Sequence, residues 1–194
     1  MLGLLSVAAF AEDFYVSDTG AYKTDDGVDH VAYTDLQEAI NAAVEAGTGN
    51  TVWVENGFEC KTGEYEYASG YKCRIYIDKE LTLRSKSGDW TTGSSPIIRG
   101  SYATAGATGS SRCGAGAVTC VRGTDASKIT LMGIKLLEGA TTQYANNQNN
   151  SSGGGAFRVT LQKCLVSGCA AYYGGGTYGV NTADCTFRDC FAYQ

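Results

Sequence analysis

The spacing of hydrophobic residues changes period once along the chain. Over residues 34–47, TDLQEAINAAVEAG, the apolar positions Leu36, Ala39, Ile40, Ala43 and Val44 recur at i, i+3, i+4, i+7 and i+8. That is one face of a helix. Thr34 and Gln37 have capping-box spacing at its start, and Gly47 supplies a stop. Before it, FYVSDTG (14–20) alternates as a short strand and ends in a turn. From residue 51 the pattern becomes one of short strands: TVWV (51–54), RIYID (74–78), LTLRS (81–85), PIIRG (96–100), AVTCV (117–121) and ITLMGIKLLEG (129–139). These are rich in β-branched residues and punctuated by Gly, Ser and Asn. The pattern predicts one long helix and otherwise strands.

The last two stretches, GGGAFRVTLQKCLVSGCAAYY (153–173) and GGGTYGVNTADCTFRDCFAYQ (174–194), overlay without a gap in a frame of 21 residues. In the first, Phe157, Val159 and Leu161 alternate, then the phase slips by one to Cys164 and Val166. The second repeats this with Tyr178, Val180, Cys185 and Phe187, and Ile129, Leu131, Ile134 and Leu136 show the same slip. A slip between two strands is what a bend requires if both strands are to keep facing inward. A fixed period near 20 residues with short strands and no helix signals a solenoid of stacked coils, ~4.8 Å apart. Equivalent residues then form ladders, and Phe157 with Tyr178 is expected in the core.

Composition fits one domain with a substantial core: 194 residues, 43% hydrophobic, 26 Gly and a single Pro. The net charge of −5 argues against a nucleic-acid partner, which needs a basic surface to displace counterions. The apolar run Leu2–Phe10 and the small-x-small triplet Ala9-Phe10-Ala11 match a secretory signal cut before Glu12, although no Lys or Arg precedes the run. Residues 1–11 are therefore expected to be a partial signal peptide whose true start lies upstream. Residues 12–50 are expected to form an N-terminal strand and capping helix, and 51–194 the coils. No run is apolar enough for a transmembrane span in this segment. The pattern stops in mid-repeat at Gln194. A bare coil end would expose unpaired backbone, so further coils of the same chain are expected.

FYVSDTG, TDLQEAINAAVEAG, TVWV and IDKELTLRSKSG together resemble the N-terminal module of the right-handed parallel β-helix family, in the pectin-lyase-like superfamily. The later repeats, GGGAF with VSGC and GGGTY with FRDC, are similar to the GGA and FxxN repeats of polymorphic outer-membrane proteins. Cys169 and Cys190 stand where that family places asparagine. The resemblance implies an all-β, right-handed parallel β-helix with one N-terminal amphipathic capping helix. It further implies an exported bacterial protein, secreted or at the cell surface. This fold hosts lyases, hydrolases and adhesins alike, so it leaves function open.

Lyases of this fold use a basic residue for proton abstraction, usually beside acidic Ca²⁺ ligands, and glycosidases use two or three carboxylates. Glu138 and Asp189 align two coils apart, ~10 Å by stacking, with Gly168 between them. Lys163 aligns with Asp184 as an opposite-charge rung pair. Neither makes a catalytic constellation, and none is assigned in this segment. DTGAYKTDDGVDH (18–30) fails the EF-hand pattern and reads as a solvated loop, with His30 a loop or surface residue. QYANNQNNSSGGG (143–155) reads as a loop bulging from one coil. There is no CxxC and His30 has no cysteine near it, so no metal and no cofactor are expected.

Eight cysteines suit an exported protein. Cys164/Cys185 and Cys169/Cys190 are each 21 residues apart and should stack, either as disulfides or as a ladder of buried thiols. Cys60 and Cys73 flank KTGEYEYASGYK, and Cys113 and Cys120 flank GAGAVT; either pair could close a disulfide. Tyr172, Tyr173 and Tyr193 are candidate glycan contacts at a corner, Tyr172 aligning with Tyr193. The function expected is a non-enzymatic scaffold or adhesin, with a polysaccharide or host-surface glycan as partner. The alternative is the N-terminal part of a polysaccharide lyase or glycosidase whose active coils lie beyond residue 194.

Overall fold

The computed structural model describes residues 11–142 and 148–193. The leader expected over 1–11 lies outside the described residues except for Ala11. After a first strand, Asp13–Val16, and an antiparallel hairpin, Ala21–Lys23 with Asp29–Val31, the helix runs Leu36–Ala46. Among the described residues it is the one α-helix, and no helix is long and apolar enough to cross a membrane.

The chain then visits three mainly parallel sheets in a fixed cyclic order. Sheet 1 stacks Asp13–Val16, Asn50–Val54, Leu81–Ser85, Ile129–Met132, Thr160–Gln162 and Asn181–Ala183. Sheet 2 stacks Tyr71–Ile77, Val118–Gly123, Ala156–Phe157 and Thr177–Tyr178, with Tyr65–Ala68 antiparallel on its edge. Sheet 3 stacks Glu59–Cys60, Ile97–Arg99, Lys135–Leu137, Leu165–Ser167 and Thr186–Arg188. A mostly parallel stack with this connectivity is compatible with a β-helix or solenoid. The strands anticipated at 51–54, 81–85 and 129–139 are present, the last as two strands around a bend.

Parallel register makes rows. Val52, Leu83, Leu131 and Leu161 stack in sheet 1, and Cys60, Ile98, Leu136 and Val166 in sheet 3. With Ile75, Ile77, Val121, Val159 and the helix residues Leu36, Ala39, Ile40 and Ala43 they form one apolar core. Each such side chain contributes about 1.5–3 kcal/mol by leaving water.

The phase slips are bends made by residues in left-handed conformation. Gly133, Lys163 and Asp184 occupy one corner with φ of 70°, 48° and 54°. Glu138, Gly168 and Asp189 occupy the next with φ of 57°, 69° and 50°. The triplet Gly153-Gly154-Gly155 makes the third. Gly153 is left-handed (φ 69°), while a Cβ on Gly154 would lie 2.4 Å from the Ala170 carbonyl oxygen and one on Gly155 2.6 Å from Val166.

Two features depart from the sequence expectation. The stretch 18–30 is an ordered hairpin rather than a solvated loop, because Tyr22 is buried at 2% exposure and packs on Tyr15, ring centroids 4.9 Å apart. The helix N-cap is Asp35, not Thr34; its carboxylate accepts from the Glu38 amide at 2.9 Å. Gln37 is freed for another task. Its side-chain amide donates to the Tyr76 carbonyl (3.0 Å) and accepts from the Tyr76 N–H (2.8 Å). The edge hairpin pairs only as far as Cys73, so Gln37 acts as a one-residue strand on the edge left bare at Tyr76. Asn50 ties the other end of the helix down by donating to the Ala43 carbonyl at 2.7 Å.

Replacing Gln37 by Ala should therefore cost about 1–3 kcal/mol, since it leaves a partly buried amide and carbonyl without partners. Urea denaturation of Gln37→Ala against Gln37→Glu measures it. A change below about 0.5 kcal/mol would show that water replaces the side chain.

Candidate functional site

The outer surface of sheet 2 carries the row Tyr76, Arg122, Phe157 and Tyr178, paired in register. Phe157 and Tyr178 thus face outward, contrary to the expectation from alternation. The reason is Arg158, left-handed at φ 49°, which breaks the alternation so that Ala156 and Val159 face the core instead. Phe157 is nevertheless covered, because Arg122 lies over its ring at 3.9 Å and Tyr178 stacks on it at 5.8 Å.

Arg122 is itself only 4% exposed. Its guanidinium is held between the rings of Tyr67 and Phe157, 3.9 Å from each centroid. It donates to the carbonyls of Asn149 (2.7 Å) and Ser152 (3.3 Å). No described carboxylate pairs with it, so ring faces and carbonyl dipoles supply the negative potential. Burial pulls its pKa down and pushes the Tyr67 phenol up to about 12. The Tyr67 hydroxyl also donates to the Asn150 carbonyl at 3.3 Å. The described part of the Asn-rich stretch is therefore pinned to this face, with Ser151 and Ser152 buried; residues 143–147 lie outside the described residues.

The three candidate tyrosines do come together. Tyr172 stacks on Tyr193 (5.5 Å, 19°), meets Tyr173 edge-on (4.9 Å, 72°), and Phe191 meets Tyr193 edge-on (5.7 Å, 75°). Tyr193 and Phe191 are 38% and 37% exposed. The Tyr193 hydroxyl donates to the Ser110 carbonyl, which sets this cluster beside the 3₁₀ turn Gly109–Arg112. Flat rings fixed along an outer corner can stack against the C–H face of a sugar.

The aligned carboxylates Glu138 and Asp189 do not assemble. Glu138 pairs with Arg99 at 3.0 Å, and Arg99 also binds Glu59 at 2.6 Å, a hydrogen bond that holds the Glu59 carboxyl below its usual range. Asp189 stands two coils away across Gly168, and its carbonyl accepts from Arg112 at 2.8 Å. Lys163 and Asp184 share a corner row but form no ion pair in this structure. What these residues have in common is a left-handed backbone, which accounts for their alignment without chemistry.

All eight cysteines are thiols in the structure. Cys164 and Cys185 are neighbours on successive coils, and Cys120, Cys169 and Cys190 form a second ladder; the Cys164 and Cys185 thiols donate to the carbonyls of Gln162 (3.2 Å) and Ala183 (3.3 Å). Cys60 packs against the main core, the Cys73 thiol donates to the Tyr65 carbonyl (3.6 Å), and Cys113 packs with Ala117, Ala140 and Ala170. The interaction between the two thiols pushes the buried Cys164 up and its half-buried partner Cys185 down.

The chain matches no protein-family model, no curated protein and no solved structure. Sequence reasoning missed Arg122, Tyr67 and Tyr76. The outward position of Arg in TCVR was the one available signal, and burial of a cation is the opposite of what residue type suggests.

Two outcomes follow from these contacts. Arg122→Leu should destabilise the fold by about 3 kcal/mol and speed protease cleavage within 143–152, because hairpin and loop lose a shared anchor; unchanged cleavage would dissociate Arg122 from the loop. In native alkylation, Cys185 should react first, with a rate that climbs as pH rises through about 6 and levels off above neutrality, while Cys164 and Cys169 stay silent until unfolding. Peptide mass spectrometry reads this, and equal labelling of all three would refute the burial order.

Proposed function

We propose that this chain is an exported bacterial scaffold of the right-handed parallel β-helix type, pectin-lyase-like in its N-terminal module. Its outer-membrane-type repeats would hold it at the cell surface or in the secreted fraction. Its lateral face binds polysaccharide or host-surface glycan without transforming it. The handedness follows from the general rule that parallel strand connections cross right-handed. The observation that carries the reading is the aromatic corner of Tyr172, Tyr173, Phe191 and Tyr193, rings held edge-to-face and stacked yet partly open to solvent. Rigid, partly wet aromatic surface is the kind that sugars use. Glu138 is engaged by Arg99, which also holds Glu59, and this favours a binding role over hydrolysis at the Glu138 row.

Binding of the chain to a panel of plant, microbial and host polysaccharides tests the reading. Retention on at least one is expected, weakened about fivefold to tenfold by Tyr172→Ala or Tyr193→Ala. Failure to bind any would overturn it, and release of reducing ends or of unsaturated sugar would replace it with an enzyme.

A further inference from the structure

The hairpin at 21–31 and the outer face of sheet 1 border an open pocket of about 270 Å³, distant in sequence from the aromatic corner. Its walls include Tyr15 and Trp53 from neighbouring strands and Tyr22, Asp25 and Asp26 from the hairpin, with Lys86 at the rim. Several walls are held by neighbours. The Trp53 indole N–H donates to Asp13 at 3.0 Å, and the Arg84 guanidinium covers one ring face at 4.2 Å. His30 stacks on Tyr15 at 4.2 Å. Lys86 donates to the Lys23 carbonyl at 2.6 Å and pairs with Asp25 at 3.3 Å, which clamps the hairpin over the sheet.

The polar groups retain capacity for a ligand. Asp26 takes the Thr24 hydroxyl and the Val28 amide on one oxygen, Oδ1, and these bonds keep its carboxyl below the usual range. Asp25 uses Oδ1 toward Lys86. Each carboxylate thus keeps a second oxygen for hydroxyl donors, next to the Trp53 indole that lines the pocket with Arg84 over one of its faces. A small, partly apolar cavity with a few convergent acceptors is how proteins hold one polar ring. Asp13, Asp25 and Asp26 against Lys86 and the Arg84 guanidinium on the indole leave one net negative charge at the pocket. Anionic ligands are repelled there.

We propose that this pocket is a second carbohydrate subsite, one that takes a neutral pyranose ring stacked on Trp53 with its hydroxyls bound by Asp25 and Asp26, and that rejects uronates. The class of ligand rests on the glycan-binding reading above; the site and its charge selectivity do not. The selectivity runs against the acidic polysaccharides that a pectin-lyase-like resemblance would suggest.

The chain has two tryptophans, so Trp90→Phe leaves Trp53 as the sole indole reporter. Titration of that variant with xylohexaose, mannohexaose and cellohexaose should give a saturable change in indole emission for at least one of them. Hexagalacturonate should give none over the same range. Asp26→Asn keeps the turn acceptor and should weaken the neutral ligand about tenfold, the equivalent of 1.4 kcal/mol. Trp53→Ala, followed by calorimetry with circular dichroism to confirm folding, should abolish it. The proposal is overturned if no neutral hexaose saturates, if hexagalacturonate binds as tightly, or if both substitutions leave affinity unchanged. Polysaccharide retention that depends on Tyr172 and Tyr193 but ignores Trp53 and Asp26 would sink this subsite and leave the glycan-binding reading standing. Retention on nothing would remove both.

Discussion

In-register parallel pairing between successive coils is the constraint from which the rest follows. Each strand lies directly on its predecessor, so a residue that suits the core in one coil must be matched by its equivalents above and below. The leucine row from Leu83 through Leu131 to Leu161 satisfies that demand inside. The threonines Thr51, Thr82, Thr130 and Thr160 satisfy it on the outer side of the same sheet, where β-branched residues suit the pleat. The corners meet the same demand differently. Lys163, Asp184, Glu138 and Asp189 all accept a left-handed backbone, at a cost of about 1–2 kcal/mol each. That cost explains why glycine or a short polar residue fills most equivalent places.

The same pairing creates its own difficulty at the first coil, where strands have no predecessor. The helix resolves it by two means at once. Leu36, Ala39, Ile40 and Ala43 cover the apolar cross-section, and Gln37 supplies the amide that the strand edge at Tyr76 lacks. A side chain used as a strand is economical because one residue satisfies both a donor and an acceptor. The Asp35 cap makes this possible by relieving Gln37 of duty at the helix start.

Rigid coils turn outward-facing residues into fixed arrays. Arg122 between Tyr67 and Phe157 anchors a hairpin and a loop, and so occupies its rings internally. The cluster around Tyr193 and the wall formed by Tyr15 and Trp53 keep ring surface toward solvent or cavity. The division is physical: rings buried with the guanidinium between them, as around Arg122, stabilise the fold, and rings left partly open, Trp53 with Arg84 over one face among them, can meet a ligand. Both depend on the ~4.8 Å spacing of coils, which brings aromatic rows within stacking distance.

The sequence by itself determined the repeat, the helix, most strand positions and the stacking of Cys164 with Cys185 and Cys169 with Cys190, because period and spacing are local properties of the chain. It also pointed to Tyr172, Tyr173 and Tyr193 as neighbours, since residues 21 apart must stack once the frame is known. Only the tertiary structure decided that Phe157 faces out, for a single left-handed residue, Arg158, reverses the alternation and a carbon-only pattern cannot announce it. Only the tertiary structure turned 18–30 from an apparent loop into a hairpin over a cavity, because Tyr22 is buried by strands and by Lys86, far from it in the chain. Local periodicity fixes which way a strand can face, whereas enclosure is made by segments distant in sequence, and a site is an enclosure.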